Sequence, residues 1–201
     1  ILRGLVGSEM CIRDRNLATS NAAKTTSGLE VFLDRFSNSC REVAQGGRRG
    51  ALMISLSVHH PQIRDFIRIK RDLTRVTGAN ISVRLSEEFM RAVRGGDPIQ
   101  LRFPVDAKEP IVEEWVSAQD LWHEIVESAH ASAEPGLLFW DTAKRMTPSD
   151  IYEAEGFGST STNPCGEIIL SPYDSCRLML VNLTSFVKNA WTDGAEFDFA
   201  H

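Results

Sequence analysis

Four short apolar runs separated by segments of helical period constrain this 201-residue chain most strongly. ALMISLS (51–57), NISVRLS (80–86), PIQLRFPV (98–105) and GLLFWD (136–141) read as strands, because each is short and bounded by turn or cap residues. Between them lie PQIRDFIRIKRD (61–72), SEEFMRAVRGG (86–96) and SAQDLWHEIVESAHAS (117–132). The first starts at Pro61, a good first helical residue, and repeats Ile63, Phe66, Ile67 and Lys70 at helical spacing. The second has Ser86 as cap, acids in its first turn and glycines at its end. The third has a capping-box-like pair, Ser117 and Asp120, and a stripe of Leu121, Trp122, Ile125, Val126 and Ala129. Strands that alternate with helices predict an α/β fold with a largely parallel sheet or barrel.

A helix is also expected over 26–44, capped by Ser27, with Phe32, Phe36, Cys40 and Val43 on one face. QGGRRG (45–50) breaks it. Residues 147–161 read as irregular and exposed, and EIIL (167–170) and CRLMLVNLTSF (176–186) as two further strands. No internal repeat or low-complexity segment interrupts this order. At 42% hydrophobic and 24% charged residues, the chain can bury a core. The net charge of −5 argues against a broad basic surface for nucleic acid. No apolar run is long enough to span a bilayer, and four cysteines without close pairs do not make a secreted disulfide scaffold. A cytoplasmic location is therefore expected. LVGSEMCIRDR (5–15) has neither period and back-translates to a transposase-type sequencing adaptor, so residues 1–15 are expected to be a disordered library artefact. Residues 16–201 are expected to be one partial domain, cut at both ends.

The chemistry concentrates in STNPCGEIIL (161–170). A thiol between Pro164 and Gly166 does not belong in mid-helix, because both neighbours break helices. On an extended segment alternate side chains point the same way, so Asn163, Cys165 and Glu167 would share one small volume. That would offer an amide, a thiol and a potential general base. A buried structural cysteine is an equal alternative on composition alone, and spacing alone makes Cys176 a core cysteine. Cys165 and Cys176 fit no zinc spacing, and HEIVE at His123 has Glu127 where a second zinc histidine would stand. His59 and His60 read as a helix entry before Pro61. Arg64, Arg68 and Arg71 read as a solvated helix face. QGGRRGA (45–51) lets a backbone approach a ligand, and Arg48 or Arg49 could meet a phosphate or a base. By itself it reads more readily as an exposed turn.

STNPCGEI followed by SPYDSCRLM and VNL resembles the catalytic large subunit of ribonucleotide reductase. QGGRRGA, HHPQIRDFIRIKR, ANISVRLSEEFM and SAEPGLLFWD match that family in the same order, over roughly residues 25–190. The resemblance implies a ten-stranded α/β barrel with a radical cysteine on a finger loop. It implies that Cys165 forms a thiyl radical, that Glu167 is the general base, that Asn163 holds the reacting hydroxyls and that Cys176 is one of two reducing cysteines. Asn163, Pro164, Cys165, Gly166 and Glu167 would line the substrate. Gln45, Gly46, Gly47, Arg48 and Arg49 would form the specificity loop, with Arg49 the best match to a base-contacting arginine.

NPCGE resembles the adenosylcobalamin-dependent type more than the type served by a di-metal or tyrosyl-radical subunit, and Glu167 argues against the glycyl-radical type. The implied partners are a ribonucleotide substrate, dNTP or ATP effectors, a thioredoxin- or glutaredoxin-like reductant and a second copy in a homodimer, without nucleic acid or membrane. The matching upstream redox cysteine is expected before this segment, and Cys40 is not its equivalent. Two rival readings are a polar thiol hydrolase, which needs a histidine near Cys165, and a non-catalytic nucleotide-binding module.

Overall fold

A computed structural model describes residues 28–45, 47–176 and 179–200. The expectations for residues 1–15, for Ser27 as a cap and for Gly46 lie outside the described residues. Three strands form the central sheet: β3 (Met53–Ser57), β4 (Asn80–Leu85) and β7 (Gly136–Phe139), in the order β3-β4-β7 with every pair parallel. They follow a two-residue hairpin pair, β1 (Ala44–Gln45) and β2 (Arg48–Arg49). The helices between them make the parallel order possible, since a parallel pair needs a long crossover. The architecture is mixed α/β, and the described residues do not close a barrel.

The two faces of the sheet differ in side-chain size. Ile54 and Leu56 of β3, and Ile81, Val83 and Leu85 of β4, are buried in one apolar core. That core also holds Ile63, Phe66 and Ile67 of α2 (Ile63–Arg68), Phe89 of α3 (Glu87–Gly95), and Leu121 and Ile125 of α4 (Ala118–Ser132). On the opposite face the register aligns Ser55, Ser82 and Gly136 across all three strands. A Cβ on Gly136 would stand 2.7 Å from Ser82 Oγ, so this row admits only small residues.

The expected caps form: Ser86 Oγ accepts from the Phe89 N–H, and Ser117 Oγ from the Asp120 N–H. PIQLRFPV is β5 (Pro98–Phe103), but its partner β6 (Val112–Ser117), antiparallel to it, carried no sequence signal. VEEWVS places charge and Trp115 on an exposed ribbon, which hides the strand from a hydrophobic pattern.

Several expectations are corrected. The helix expected over 26–44 is α1 (Leu29–Glu42), whose buried face is Leu29, Leu33 and Ser37; Phe32, Phe36 and Cys40 flank it half-buried, and Val43 is exposed. In α4 the buried stripe includes Glu124 and Ser128, while Val126 is exposed. The arginines of α2 and of the 3-10 turn that follows it (Ile69–Arg71) explain this shift. Arg64 Nη1 lies 2.5 Å from Glu124 Oε2, Arg68 forms an ion pair with the same carboxylate, and Arg71 Nε donates to Ser128 Oγ at 2.8 Å. These arginines are therefore helix-packing groups, because a buried carboxylate is tolerated only when paired. Residues 179–182 of the expected CRLMLVNLTSF strand are not strand; Met179 and Leu180 stand almost fully exposed, with no neighbouring strand among the described residues to pair them. Residues 177 and 178 lie outside the described residues. The region 147–161 is largely exposed, as expected, but contains α5's continuation: α5 (Trp140–Met146) is followed by a 3-10 helix over Pro148–Glu155.

His59, in the turn after β3, forms a buried relay. Its Nδ1–H donates to Gln100 O (3.1 Å), the Ser86 hydroxyl donates to Nε2 (2.7 Å), and Ser86 Oγ accepts from Phe89. Burial pushes the imidazole pKa below its ordinary value; the Gln100 hydrogen bond opposes this, Arg102 adds to it, and Glu88 and Asp141 oppose it. Since only the unfolded chain then binds a proton between the ordinary and the lowered value, the contribution of His59 to stability is full above about pH 6.5 and falls as pH drops through that window. Denaturation midpoints from pH 7 to pH 5 are expected to decline, and the decline to be shallower in His59→Gln; parallel profiles would contradict the relay. A second expectation concerns Gly78, where an added Cβ would meet Ser37 O at 2.4 Å and Arg41 Cγ at 2.7 Å. Gly78→Ala should lose about 1–3 kcal/mol in denaturant unfolding, as overpacking does.

Candidate active site

The residues STNPCGE form the tip of a hairpin. Its arms are β8 (Ser161–Thr162) and β9 (Ile169–Leu170), paired antiparallel as Ser161 with Leu170 and Thr162 with Ile169. Asp150 of the 3-10 helix fixes the approach to β8 by accepting from the N–H and the hydroxyl of Ser159. Thr160 N–H donates to Leu170 O (3.0 Å) and continues the pairing below the arms.

Asn163 closes the six-residue loop from within. Its N–H donates to Ile168 O, its carbonyl accepts from Gly166 N–H and its Oδ1 accepts from Ile168 N–H, each at 3.0 Å. Such local closure by an asparagine side chain is a common turn device. Its remaining amide group reaches a second thiol: Nδ2 lies 3.9 Å from Cys176 Sγ. Asn163 is consequently buried, at 5% exposure, while Cys165 and Glu167 are exposed.

This corrects the extended-segment geometry. Residues 163–168 turn rather than run straight, so alternate side chains do not fall in one row. Gly166, at φ +85°, makes the turn, a conformation that costs a Cβ-bearing residue strain. Pro164 precedes it half-buried. The loop thus presents Cys165 and Glu167 outward while Asn163 holds it shut, and Asn163 rather than the alternation brings Cys176 into the site. Cys176 is exposed, which corrects its reading as a core cysteine.

The hairpin crosses the small-residue face of the sheet. Asn80, Ser82 and Arg84 of β4 share that face. Asn80 Nδ2 donates to Pro164 O (2.9 Å) and Arg84 Nη1 to Thr160 O (3.5 Å), so the hairpin runs antiparallel to β4 over Ser82. Arg84 is further held 5.0 Å over the Trp140 ring. Sequence reasoning missed Asn80 and Arg84; their position at 80 and 84, one strand face, was the available signal.

Gln45, Gly47, Arg48 and Arg49 form the tight β1–β2 hairpin, with Gly47 at φ +83°. Gly50 packs against Cys40, whose sulfur a Cβ there would meet at 3.0 Å. Cys40, Cys165 and Cys176 are free thiols. His59 and His60 are buried at the end of β3, and His123 pairs with Glu127 on α4. Among the described residues no group of three or more His, Cys, Asp and Glu side chains could hold a metal ion. No helix among them is long and apolar enough to cross a membrane.

The chain matches the family described as ribonucleotide reductase, barrel domain, over residues 2–201. It is 33% identical over 191 residues to a vitamin B12-dependent ribonucleoside-diphosphate reductase of Thermoplasma acidophilum, covering 94% of this chain and 23% of that protein. It is 36% identical over 172 residues to a reductase of the same description from Mycobacterium tuberculosis, covering 84% and 24%. A vitamin B12-dependent ribonucleotide reductase of Streptomyces clavuligerus is 31% identical over 197 residues, covering 86% and 20%. The chain spans about a quarter of the length of the first two relatives.

Gly166→Ala should cost about 1–2 kcal/mol from its left-handed backbone alone, since nothing lies within 4 Å of the new Cβ. Gly166→Asn should recover part of that loss, because asparagine tolerates this region. Equal denaturation midpoints for the three proteins would show the loop relaxing elsewhere.

Proposed function

The chain belongs to the ribonucleotide reductase barrel-domain family, and from that premise we propose that it carries the radical centre of an enzyme converting ribonucleotides to deoxyribonucleotides. The observation that supports this most directly is the closed loop at 163–168, which exposes Cys165 and Glu167 and brings Asn163 against Cys176. In the whole protein the sheet and its hairpin are part of a ten-stranded barrel, and the hairpin is its finger loop.

The chain's own groups divide the work. Cys165, as a thiyl radical, takes the hydrogen atom from the ribose 3′ carbon and becomes a thiol. Glu167 accepts the 3′-hydroxyl proton and returns it when that hydroxyl is re-formed at the end of the cycle. Asn163, whose loop bonds leave its amide nitrogen facing Cys176, holds the reacting hydroxyls. The 2′-hydroxyl leaves as water. Cys176 and a second thiol supply two electrons and two protons and are left as a disulfide, and Cys165 returns its hydrogen atom to the 3′ carbon. A thioredoxin- or glutaredoxin-like protein then reduces the disulfide.

The radical source that suits these residues is adenosylcobalamin. Such a group would need an approachable thiol from the chain, and exposed Cys165 offers one. When bound, this cofactor would supply the radical chemistry that the Cys165 thiol needs. The names of the relatives support the same choice over a separate metal-radical subunit. Residues 45–49 serve as the specificity loop, which relates the substrate base to dNTP or ATP effectors, in a homodimeric cytoplasmic enzyme. The hydrolase reading is disfavoured because His59 and His123 are committed to Gln100, Ser86 and Glu127 rather than to Cys165.

In the full-length protein Cys165→Ser, Glu167→Gln and Cys176→Ser should each lower dithiol-driven nucleotide reduction by about 100-fold or more. Nucleotide affinity should stay within about threefold, because each change removes chemistry rather than uniform binding. Undiminished turnover in Cys165→Ser would refute the radical assignment.

A further inference from the structure

We infer that Asn80 is a positioning residue that ties the peptide bearing Cys165 to the strand that follows the 45–49 hairpin. Resting on the reductase reading, this adds a residue to its machinery and a physical route between its two loops.

Asn80 opens β4 and makes two bonds in different directions. Its backbone N–H donates to Leu52 O at 2.8 Å, and its side-chain amide donates to Pro164 O at 2.9 Å. Leu52 lies three residues beyond Arg49 and directly before β3. Pro164 O belongs to the peptide whose nitrogen is that of Cys165. Fixing this peptide plane restricts the direction in which the Cys165 Cα–Cβ bond points.

No bond within the loop does this. Asn163 closes residues 163–168 through Ile168 and Gly166, which leaves the Pro164 carbonyl to Asn80. Gly166, conformationally permissive, follows immediately and would let an untethered Cys165 peptide rotate. Removing the tether should therefore disturb the sulfur more than the fold.

Asn80 is itself seated firmly. The turn before it is clamped to α1 by Gly78 N–H donating to Ser37 Oγ (2.8 Å), and Lys70 bonds the Ala79 carbonyl. An open cleft of about 450 Å3 lies between residues 50–52 and 77–80, with Arg41 at its side. A ligand or a hairpin movement that shifts residues 50–52 must strain or carry Asn80, and with it the Cys165 peptide. Hydrogen abstraction demands near-contact of sulfur and carbon, and a misplacement of about 1 Å can cost about 100-fold in rate.

The test is made in the full-length protein with Asn80→Leu, which removes the side-chain donor, and Asn80→Asp, which faces the Pro164 carbonyl with an acceptor. Both should lower kcat about 10- to 100-fold while KM stays within about twofold, and both should blunt the change in base preference on adding effector. A merely structural residue would lower melting temperature and activity together and leave base preference intact, and that result, or wild-type kcat, would overturn the inference. If the wild-type protein reduces no nucleotide, the reductase reading fails by itself. The tether is then judged by iodoacetamide alkylation of Cys165, with Cys40 as internal reference. A rate at least about threefold higher in Asn80→Leu supports it, by the usual worth of a hydrogen bond, and an unchanged rate overturns it.

Discussion

The parallel pairing of β4 between β3 and β7 is the constraint on which the rest of this structure depends. It fixes which residues share a face, and the two faces have opposite tasks. Ile81, Val83 and Leu85 enter the helix-covered core, where burying each large aliphatic side chain is worth about 1.5–3 kcal/mol. Asn80, Ser82 and Arg84 face the other way. A slip of one residue would exchange the two sets and lose both the core and the platform for the hairpin.

That platform is made by absence of bulk. Ser55, Ser82 and Gly136 stand side by side in the register, and the hairpin bearing Cys165 passes over Ser82. Small residues let two backbones approach, and the polar ends of the row, Asn80 and Arg84, then grip the hairpin at Pro164 and Thr160. The loop's own closure by Asn163 is local, but its orientation over the sheet is supplied by β4. The division resembles a general one, in which reactive residues sit on loops and rigid elements aim them.

The helices solve a different problem. Glu124 is buried on α4, and Arg64 and Arg68 of α2 surround it. In sequence those arginines fall on one helix face and look solvated, because a charge pattern does not reveal what will be packed against it. Only the crossing of α2 over α4 makes them partners. The same limit hid β6, whose Glu113 and Glu114 interrupt any apolar pattern, although its backbone pairs along the whole of β5. Conversely, the apolar run at 179–183 reads as a strand but is exposed here, since apolar composition forms no strand without an edge to join.

Sequence by itself determined the order of the parallel strands and the helices between them, because period and cap residues act locally: Ser86, Ser117 and Gly96 at the end of α3 work through bonds to residues a few positions away. It also marked the chemistry, through the order of STNPCGEI and its companion motifs, which no composition could have supplied. What only the tertiary structure decided is how that chemistry is held. Alternation in STNPCGE suggested three side chains in a row, and the left-handed Gly166 and the bonds of Asn163 turned the row into a loop. Cys176 became a neighbour of Asn163, and Asn80 a neighbour of Pro164, across 13 and 84 positions of chain. Such contacts depend on the register of the sheet beneath them, and register is a property of paired strands that no single strand's sequence contains.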